Sequence, residues 1–582
     1  MRNFINTILK FLKTIIAELV IVSLYLFIIN NYIGKTDKTI NADGIGYYDY
    51  LPSIFIYKDI NRKDISITDD SLLYQRINSL GVYVECENYK VDKYPCGTAL
   101  LQLPFFATTC LITNRANDND GYQSPFQKTV FHAAIFYLLL SIFFLKKLLK
   151  LYDIKGYAIF FAQLLLVFAT NAAYYSHFDA SFSHIYSLFA ITAFSYFAKM
   201  YFKYQNIKHF VIACIFIGLI LILRQTNIIS ILFIPFLAGS FKNLKEGIIN
   251  IFKKPKTLII GILIIVAIFS IQCLLWYFQT GKILVYSYPG EGFNFLNPQI
   301  LNILISFKKG LFVYTPIIFI ALCSIFWWVY KRKYFIFFSW FSFFVFLTYF
   351  LSSWHSWFYG CSYGLRAYID FYPIFFIPLA VLISEISIAI KFIVITLSFL
   401  TIPLNIIQTY QYKVYILHWI DMDKDKYWKV FMKTDDTYKG LLFKQSFDSN
   451  NYIIEKEIKI NDITISKNKD TTICITKTNE IPNFGNVKII QVYIDNEFNE
   501  NNNAAITLTI NELNNVNNNY YWHNPYLIHY CDHNFNKLQT GTFNYVLGTI
   551  SDNKEKIITI EIKSGKQNNY LRNIRFLFLS PK

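Results

Sequence analysis

The sequence predicts a polytopic α-helical membrane protein of about eleven spans, ending in an extracytoplasmic all-β domain of sandwich type. Three observations predict it. Hydrophobic residues make up 54% of the 582-residue chain and charged residues only 16%, against about 25% charged in ordinary globular domains. Apolar runs approaching the roughly 20 residues that a bilayer requires recur through the first 410 positions. Beyond Tyr412 the chain turns polar and Asn-rich, with alternating stretches at 453–460 and 505–510. With a mean hydropathy of +0.33, disordered and collagen-like chains and most soluble multidomain enzymes are excluded.

The first run, 14–30, follows Lys10 and Lys13 and precedes no small-residue cleavage site, so it reads as a membrane anchor. Runs at 127–147, 156–175, 182–201, 208–223, 226–240, 257–279, 310–330, 334–352, 371–389 and 391–409 complete the count. The pair 208–223 and 226–240 is short and interrupted by Arg224, Gln225, Thr226 and Asn227, which fits two tilted spans or a re-entrant pair. The net charge of +17 is concentrated in alternate loops: Lys146, Lys147, Lys150 and Lys155; Lys199, Lys203 and Lys208; Lys242 to Lys256; and Lys331 to Lys333. The alternate short loops, 176–181 and 353–370, hold Arg366 as their one Lys or Arg. The positive-inside rule puts the lysine-rich loops in the cytoplasm, and an odd span count then places 31–126 and 411–582 outside. The basic excess is topological and implies no nucleic-acid partner; the bilayer is the partner. The expected division is a membrane module, 1–410, with 31–126 as its first external loop, and a β domain, 411–582. There, β-branched residues at period two between Asn/Asp turns predict antiparallel strands. Cys214, Cys273 and Cys323 lie in apolar runs as packing residues, whereas pairing of Cys474 with Cys531 or of Cys86 with Cys96 stays open. Glu18 and Glu385 fall inside spans, with no partner evident in the sequence.

Chemistry at a membrane face needs polar groups gathered near helix ends, and four external segments supply them. In 41–52, Gly44 and Gly46 leave the Asp43 carboxylate accessible beside Asp49, Tyr47 and Tyr48; the bland alternative makes Asp43 a cap for a helix starting near Ile45. The run 93–106 is too short to span and contains Pro104, which suits an interfacial helix. In 287–312, Lys308 and Lys309 are external cations at a helix start, suited to phosphate or to lipid headgroups. In 354–373, Arg366 runs against the positive-inside bias, either to grip phosphate or to pair with Asp370 four residues on. Arg224, near the external end of a span, is a functional candidate on the same grounds. His132, His177 and His184 have no metal-ligand spacing, and no Walker, Rossmann or zinc motif appears. No metal ligands are therefore assigned.

These residues resemble the GT-C superfamily of polytopic glycosyltransferases. The similarity rests on Asp43 within Ala-Asp-Gly-Ile-Gly-Tyr-Tyr in the first external loop, on the amphipathic helix after it and on the span count. The stretches from Tyr359 to Arg366 and from Leu417 to Trp428 look like those of a bacterial branch. The resemblance covers about residues 1–430. Gly44 follows Asp43, so the acidic pair of protein O-mannosyltransferase-like relatives is absent, and Trp354-His355-Ser356-Trp357 differs from the Trp-Trp-Asp signature of oligosaccharyltransferases. The resemblance implies transfer of a sugar from a polyprenyl-phosphate donor to a glycan, lipid or protein hydroxyl, at the outer face of a bacterial cytoplasmic membrane. Asp43 is the implied general base, with Asp49 in reserve; Arg366, Arg224 and Lys308 are the implied phosphate ligands. Tyr47, Tyr48, Glu291, His355 and Asp370 are the implied sugar-pocket residues. The cofactor is undetermined, because the superfamily contains enzymes with and without a divalent cation. The alternatives are a flippase for lipid-linked glycans, which would favour paired broken helices and midplane charges, and a non-enzymatic glycan-binding assembly protein.

Overall fold

The computed structural model describes residues 2–34, 36, 38–60, 82–86, 89–113, 121–443, 452–466, 471–487, 489–497, 505–512, 539–546, 556–563 and 569–581. It divides into two units, Met1–Lys413 with Trp419–Met432, and Val414–His418 with Lys433–Lys582.

The first unit is helical. Among the described residues, six helices are long and apolar enough to cross a membrane: Thr14–Ile33, Ser124–Lys150, Pro255–Thr280, Tyr334–Ser352, Arg366–Glu385 and Ile388–Lys413. A seventh is added if Gln225–Ala238 and Phe241–Phe252, bent by 119° at their junction, count as one span. Eleven were expected, and the difference has local causes. Gly156–Phe168 is only 13 residues long, about 20 Å at 1.5 Å per residue. His184–Tyr204 has the length but carries Ser187, Thr192, Ser195, Lys199 and Lys203. The 310–330 run is divided into Leu311–Tyr314, Ile317–Cys323 and Phe326–Tyr330. Arg366–Glu385 is 94% buried, whereas Pro255–Thr280 is 11% buried; the former is a central helix and the latter lies at the periphery.

Two carboxylates inside this apolar body are paired. Glu18 is fully buried, and its carboxylate accepts from Gln163 Nε2 at 2.6 Å and forms an ion pair with Lys146 at 2.5 Å. Glu385 accepts from Trp327 Nε1 at 2.7 Å. Both partners come from helices distant in sequence, which is why the sequence did not reveal them.

Three short elements follow the first long helix: the helix Asp43–Phe55, a hairpin of β1 (Tyr83–Cys86) with β2 (Tyr89–Asp92), and the helix Gly97–Ile112. Asp49 ties them together. It is fully buried, accepting from Ser53 Oγ at 2.9 Å, from Tyr83 at 2.7 Å and from the Tyr122 hydroxyl. Gly97 lies so close to Ile222 that a Cβ would meet its backbone at 2.5 Å, and Cys96 N donates to Gln272 Oε1 at 2.8 Å. The 97–112 helix is thereby fixed against the helix bundle, with Pro104 inside it.

In the second unit the strands are antiparallel. One sheet runs β3 (Tyr452–Ile460), β10 (Asn569–Pro581), β6 (Ile489–Glu497), β8 (Gln539–Val546), with β4 (Ile463–Ile465) also on β10; the other runs β5 (Thr471–Lys477), β9 (Lys556–Lys563), β7 (Ala505–Glu512). Alternation makes one face of each strand apolar. Val492 of β6, Phe576 and Phe578 of β10 and Ile558 of β9 accordingly enter one buried cluster, to which both sheets contribute. Cys531 and the side chain of Cys86 lie outside the described residues, so the two cysteine pairings considered above do too.

The Glu18–Lys146 pair yields a prediction. Glu18→Leu leaves an ammonium with its carboxylate removed, and breaking a buried pair costs about 3–5 kcal/mol. Thermal unfolding in detergent should show that loss, and Glu18→Leu with Lys146→Met should recover most of it. Equal stability of the single variant and the unaltered chain would contradict the pairing.

Candidate active site

The start of the Asp43–Phe55 helix is shaped by two glycines. A Cβ on Gly44 would fall 1.8 Å from Ser181 Oγ, and one on Gly46 would fall 2.2 Å from the Tyr94 ring. Only glycine allows the helix to enter between those neighbours. Ala42, just before it, has φ 43° and ψ −132°, a sparsely populated conformation for a residue with a side chain. The N-cap is Ala42 and no side chain caps the helix. Asp43 is therefore not the cap; its carboxylate reaches instead to Arg366, with Nη1 to Oδ2 at 2.7 Å.

Arg366 arrives on a loop fastened from several sides. Asn171 Nδ2 donates to Tyr363 O at 2.8 Å, and Tyr363 N donates to the Tyr175 hydroxyl at 3.2 Å. Lys309, almost fully buried, donates to the carbonyls of Ser362 and Trp419. Gly364 turns the chain with φ +59°, a conformation that favours glycine. The i,i+4 pairing of Arg366 with Asp370 does not form. Residues 366–371 are a 3-10 helix, whose spacing does not bring positions four apart onto one face, and Asp370 turns inward. There it accepts from Asn227 Nδ2 at 2.7 Å, contacts His184 Nδ1 at 2.8 Å and has Arg224 Nη1 at 3.5 Å.

Asp43, Tyr47, Arg224, Glu291, His355 and Arg366 line one cavity of about 490 Å³. The sequence placed these six in four separate segments. The cavity also takes Lys93, Tyr94, Phe182, His184, Tyr288, Trp354 and Tyr359. Lys93 pairs with Glu291, and its ammonium lies 4.8 Å from the Tyr288 ring centre. The Arg366 guanidinium lies 5.3 Å over the Phe182 ring. Tyr47 and Tyr94 pack with ring centres 4.8 Å apart, and Phe293 sits 4.6 Å from Phe350 and 4.9 Å from Trp354. The walls thus combine three cations, two carboxylates and an aromatic side.

Four expected residues are elsewhere. Asp49 is held by the three hydroxyls described above. Tyr48 is buried and donates to Gly121 O at 2.6 Å. Lys308 lies 4.1 Å over the Phe358 ring, beside a separate recess bordered by Asp423 and Lys424. Asp370 stands one layer behind the wall. The residues that sequence reasoning missed are chiefly Lys93 and His184. In the sequence His184 is a candidate only for metal binding, where its spacing fails, and nothing in its neighbourhood announces Asp370.

Electrostatics separates the carboxylates around Arg366. Burial would raise the Asp43 pKa, but the Arg366 charge and hydrogen bonds from Tyr94 and Arg366 outweigh it and hold the carboxyl below its ordinary value. Burial pushes Asp179, on the 178–183 loop, up to about 7, with Arg366 and Asn41 opposing and Asp43 reinforcing the rise. Burial pushes Lys309 down to about 7. While paired, Asp43 is a weak proton acceptor and a strong hydrogen-bond acceptor. Among the described residues, no three His, Cys, Asp or Glu side chains gather to hold a metal ion.

The coupling of Asp43 to Arg366 is testable. In Arg366→Leu, burial acts on Asp43 with its main opposing charge removed, so its pKa rises. Infrared spectra near pH 5 should gain a protonated-carboxyl band that is absent in Arg366→Leu with Asp43→Asn. A spectrum without that band would show that Arg366 does not set the charge of Asp43.

No family model and no curated protein sequence matches the chain. Among solved structures it is similar to the archaeal oligosaccharyltransferase AglB from Archaeoglobus fulgidus in complex with an inhibitory peptide and a dolichol-phosphate, at 11% identity and a TM-score of 0.37. It is also similar to an Archaeoglobus fulgidus oligosaccharyltransferase in the apo form, at 13% identity and a TM-score of 0.40. Both alignments cover 75% of this chain and 60% of the other. Both neighbours are oligosaccharyltransferases. At TM-scores below 0.5 the similarity carries no function over, and function is read from the cavity.

Proposed function

We propose that the chain is a GT-C-type membrane glycosyltransferase that moves a sugar from a polyprenyl-phosphate donor to an acceptor hydroxyl at the extracytoplasmic face. In this reading the shorter apolar helices join the six long ones to approach eleven spans, and the β strands form a sandwich-like external domain. The observation that carries it is the Asp43–Arg366 pair on the wall of a cavity that also holds Arg224 and Lys93.

The volume of about 490 Å³ is within the range of small-molecule sites. Arg366 has a planar fork suited to two phosphate oxygens, and Arg224 supplies a second guanidinium. Phe293, Phe350 and Trp354 give the lipid chain an apolar side. Tyr47, Tyr94, Tyr288 and His355 offer rings and hydroxyls to the sugar, and the Lys93–Glu291 pair offers both a donor and an acceptor. Asp43 holds the acceptor hydroxyl by a hydrogen bond and opposes the positive charge that develops at the anomeric carbon. The hydroxyl oxygen forms the new C–O bond there as its O–H bond breaks, the proton passing to a base on the cavity wall. The old bond from carbon to phosphate oxygen breaks, and its electron pair leaves with the lipid phosphate. The guanidinium groups stabilise that growing charge, and such preorganised donors supply much of the rate in comparable reactions.

Binding and turnover test this separately. Hydrogen bonds to charged groups contribute about 1.5–3 kcal/mol, so Arg366→Lys in nanodiscs should weaken polyprenyl-phosphate binding about 10–100-fold with folding intact. Affinity equal to that of the unaltered chain would remove Arg366 from the donor site.

A further inference from the structure

His184 is a cavity-wall residue with no role in the site described so far. Its ring is held from behind. Nδ1 lies 2.8 Å from Asp370 Oδ1, while Asn227 Nδ2 donates to Asp370 Oδ2 at 2.7 Å. Arg224 Nη1 approaches the same Nδ1 at 3.2 Å and Asp370 Oδ2 at 3.5 Å. A guanidinium can only donate, so Nδ1 cannot bond both groups in their ordinary roles. The shorter contact is to a carboxylate, which needs a donor. Nδ1 therefore carries the hydrogen and gives it to Asp370, leaving Arg224 directed at the other carboxylate oxygen. In a neutral ring this tautomer leaves Nε2 with a bare lone pair. Nε2 takes no hydrogen bond among the described residues, and His184 lines the cavity. Phe182 connects it to the pair described above: the His184 ring stacks on it at 6.3 Å, and Arg366 lies over it at 5.3 Å. A histidine oriented by a buried carboxylate and open on its far nitrogen is the arrangement of a general base.

We infer that His184, oriented by Asp370, takes the proton of the acceptor hydroxyl while Asp43 holds that hydroxyl in place. This rests on the glycosyltransferase reading. The O–H bond of the acceptor breaks as its oxygen bonds the anomeric carbon, and the proton moves to Nε2. The electron pair of the cleaved sugar–phosphate bond goes to the lipid phosphate. Asp370 stabilises the imidazolium that forms. The guanidinium groups of Arg224 and Arg366 oppose it, and together with the Tyr175 ring at 5.2 Å these are, among the described residues, the charged and titratable groups facing the imidazole. Asp370 is a positioning residue and His184 the catalytic one.

Two measurements on the full chain in nanodiscs test this. Nitrogen NMR of histidine-labelled protein, with the His184 signals assigned by their loss in His184→Gln, reads the tautomer without any substrate. The expected state at neutral pH is Nδ1 protonated and Nε2 bare, shifting toward the opposite tautomer in Asp370→Asn. Turnover is then followed as release of polyprenyl phosphate from the lipid-linked sugars of a host-membrane extract. His184→Gln should bind polyprenyl phosphate within about twofold of the unaltered chain, lose turnover by 10²–10⁴-fold and lose the acid limb of the pH profile. A protonated Nε2 at neutral pH, or full turnover in His184→Gln, overturns the assignment and leaves the functional reading standing. Failure of the unaltered chain to bind polyprenyl phosphate sinks that reading, and the proton transfer with it.

Discussion

A guanidinium and a carboxylate placed 2.7 Å apart on the wall of a cavity, both largely withdrawn from water, set the terms for everything around them. Desolvating two charges is repaid only with good geometry, so the surrounding chain is committed to holding both ends. On one side Gly44 and Gly46 let the helix of Asp43 enter against Ser181 and Tyr94. On the other, Asn171, Tyr175 and Lys309 fasten the loop that delivers Arg366. In the proposed glycosyltransferase, a phosphate entering the cavity would compete with Asp43 for the same guanidinium. The carboxylate freed by that competition would lose the charge that keeps its pKa low, which would link donor binding to Asp43 through a single side chain.

The same constraint organises a second layer. Arg224 would add a further charge to the wall, and Asp370 behind it offsets that charge while also orienting His184. Asn227 completes the layer by donating to Asp370. Farther away, Glu18 shows the rule in its structural form: a buried carboxylate fully occupied by an amide and an ammonium from two other helices. A carboxylate in an apolar body is either satisfied in this way or faces a cavity, and the distinction separates Asp49 from Asp43. Six positions apart on one helix, one is enclosed by three hydroxyls and the other is turned to the site.

How much of this the sequence disclosed depends on the distance over which each interaction acts. Local features were legible: apolar runs announced helices, Gly44 and Gly46 announced an accessible carboxylate at Asp43, and Arg366 stood out as a cation against the topological bias. Six of the expected site residues meet at one cavity for that reason. Partners that depend on tertiary arrangement were not legible. The i,i+4 rule suggested Asp370 for Arg366, but a 3-10 turn breaks that register and hands Arg366 to a residue more than 300 positions away. The pairing of His184 with Asp370 spans 186 positions. The six long helices fall short of the eleven expected spans where Pro316, Ser324 and the polar residues of His184–Tyr204 interrupt otherwise apolar stretches.

In the proposed function, Arg366 exchanges Asp43 for a lipid phosphate. An electron cryomicroscopy structure of the full chain in nanodiscs with polyprenyl phosphate tests that most directly. The phosphate should lie within hydrogen-bond distance of Arg366, near Arg224, with the Asp43–Arg366 contact lengthened or lost. Phosphate bound elsewhere, with that contact intact, would contradict it.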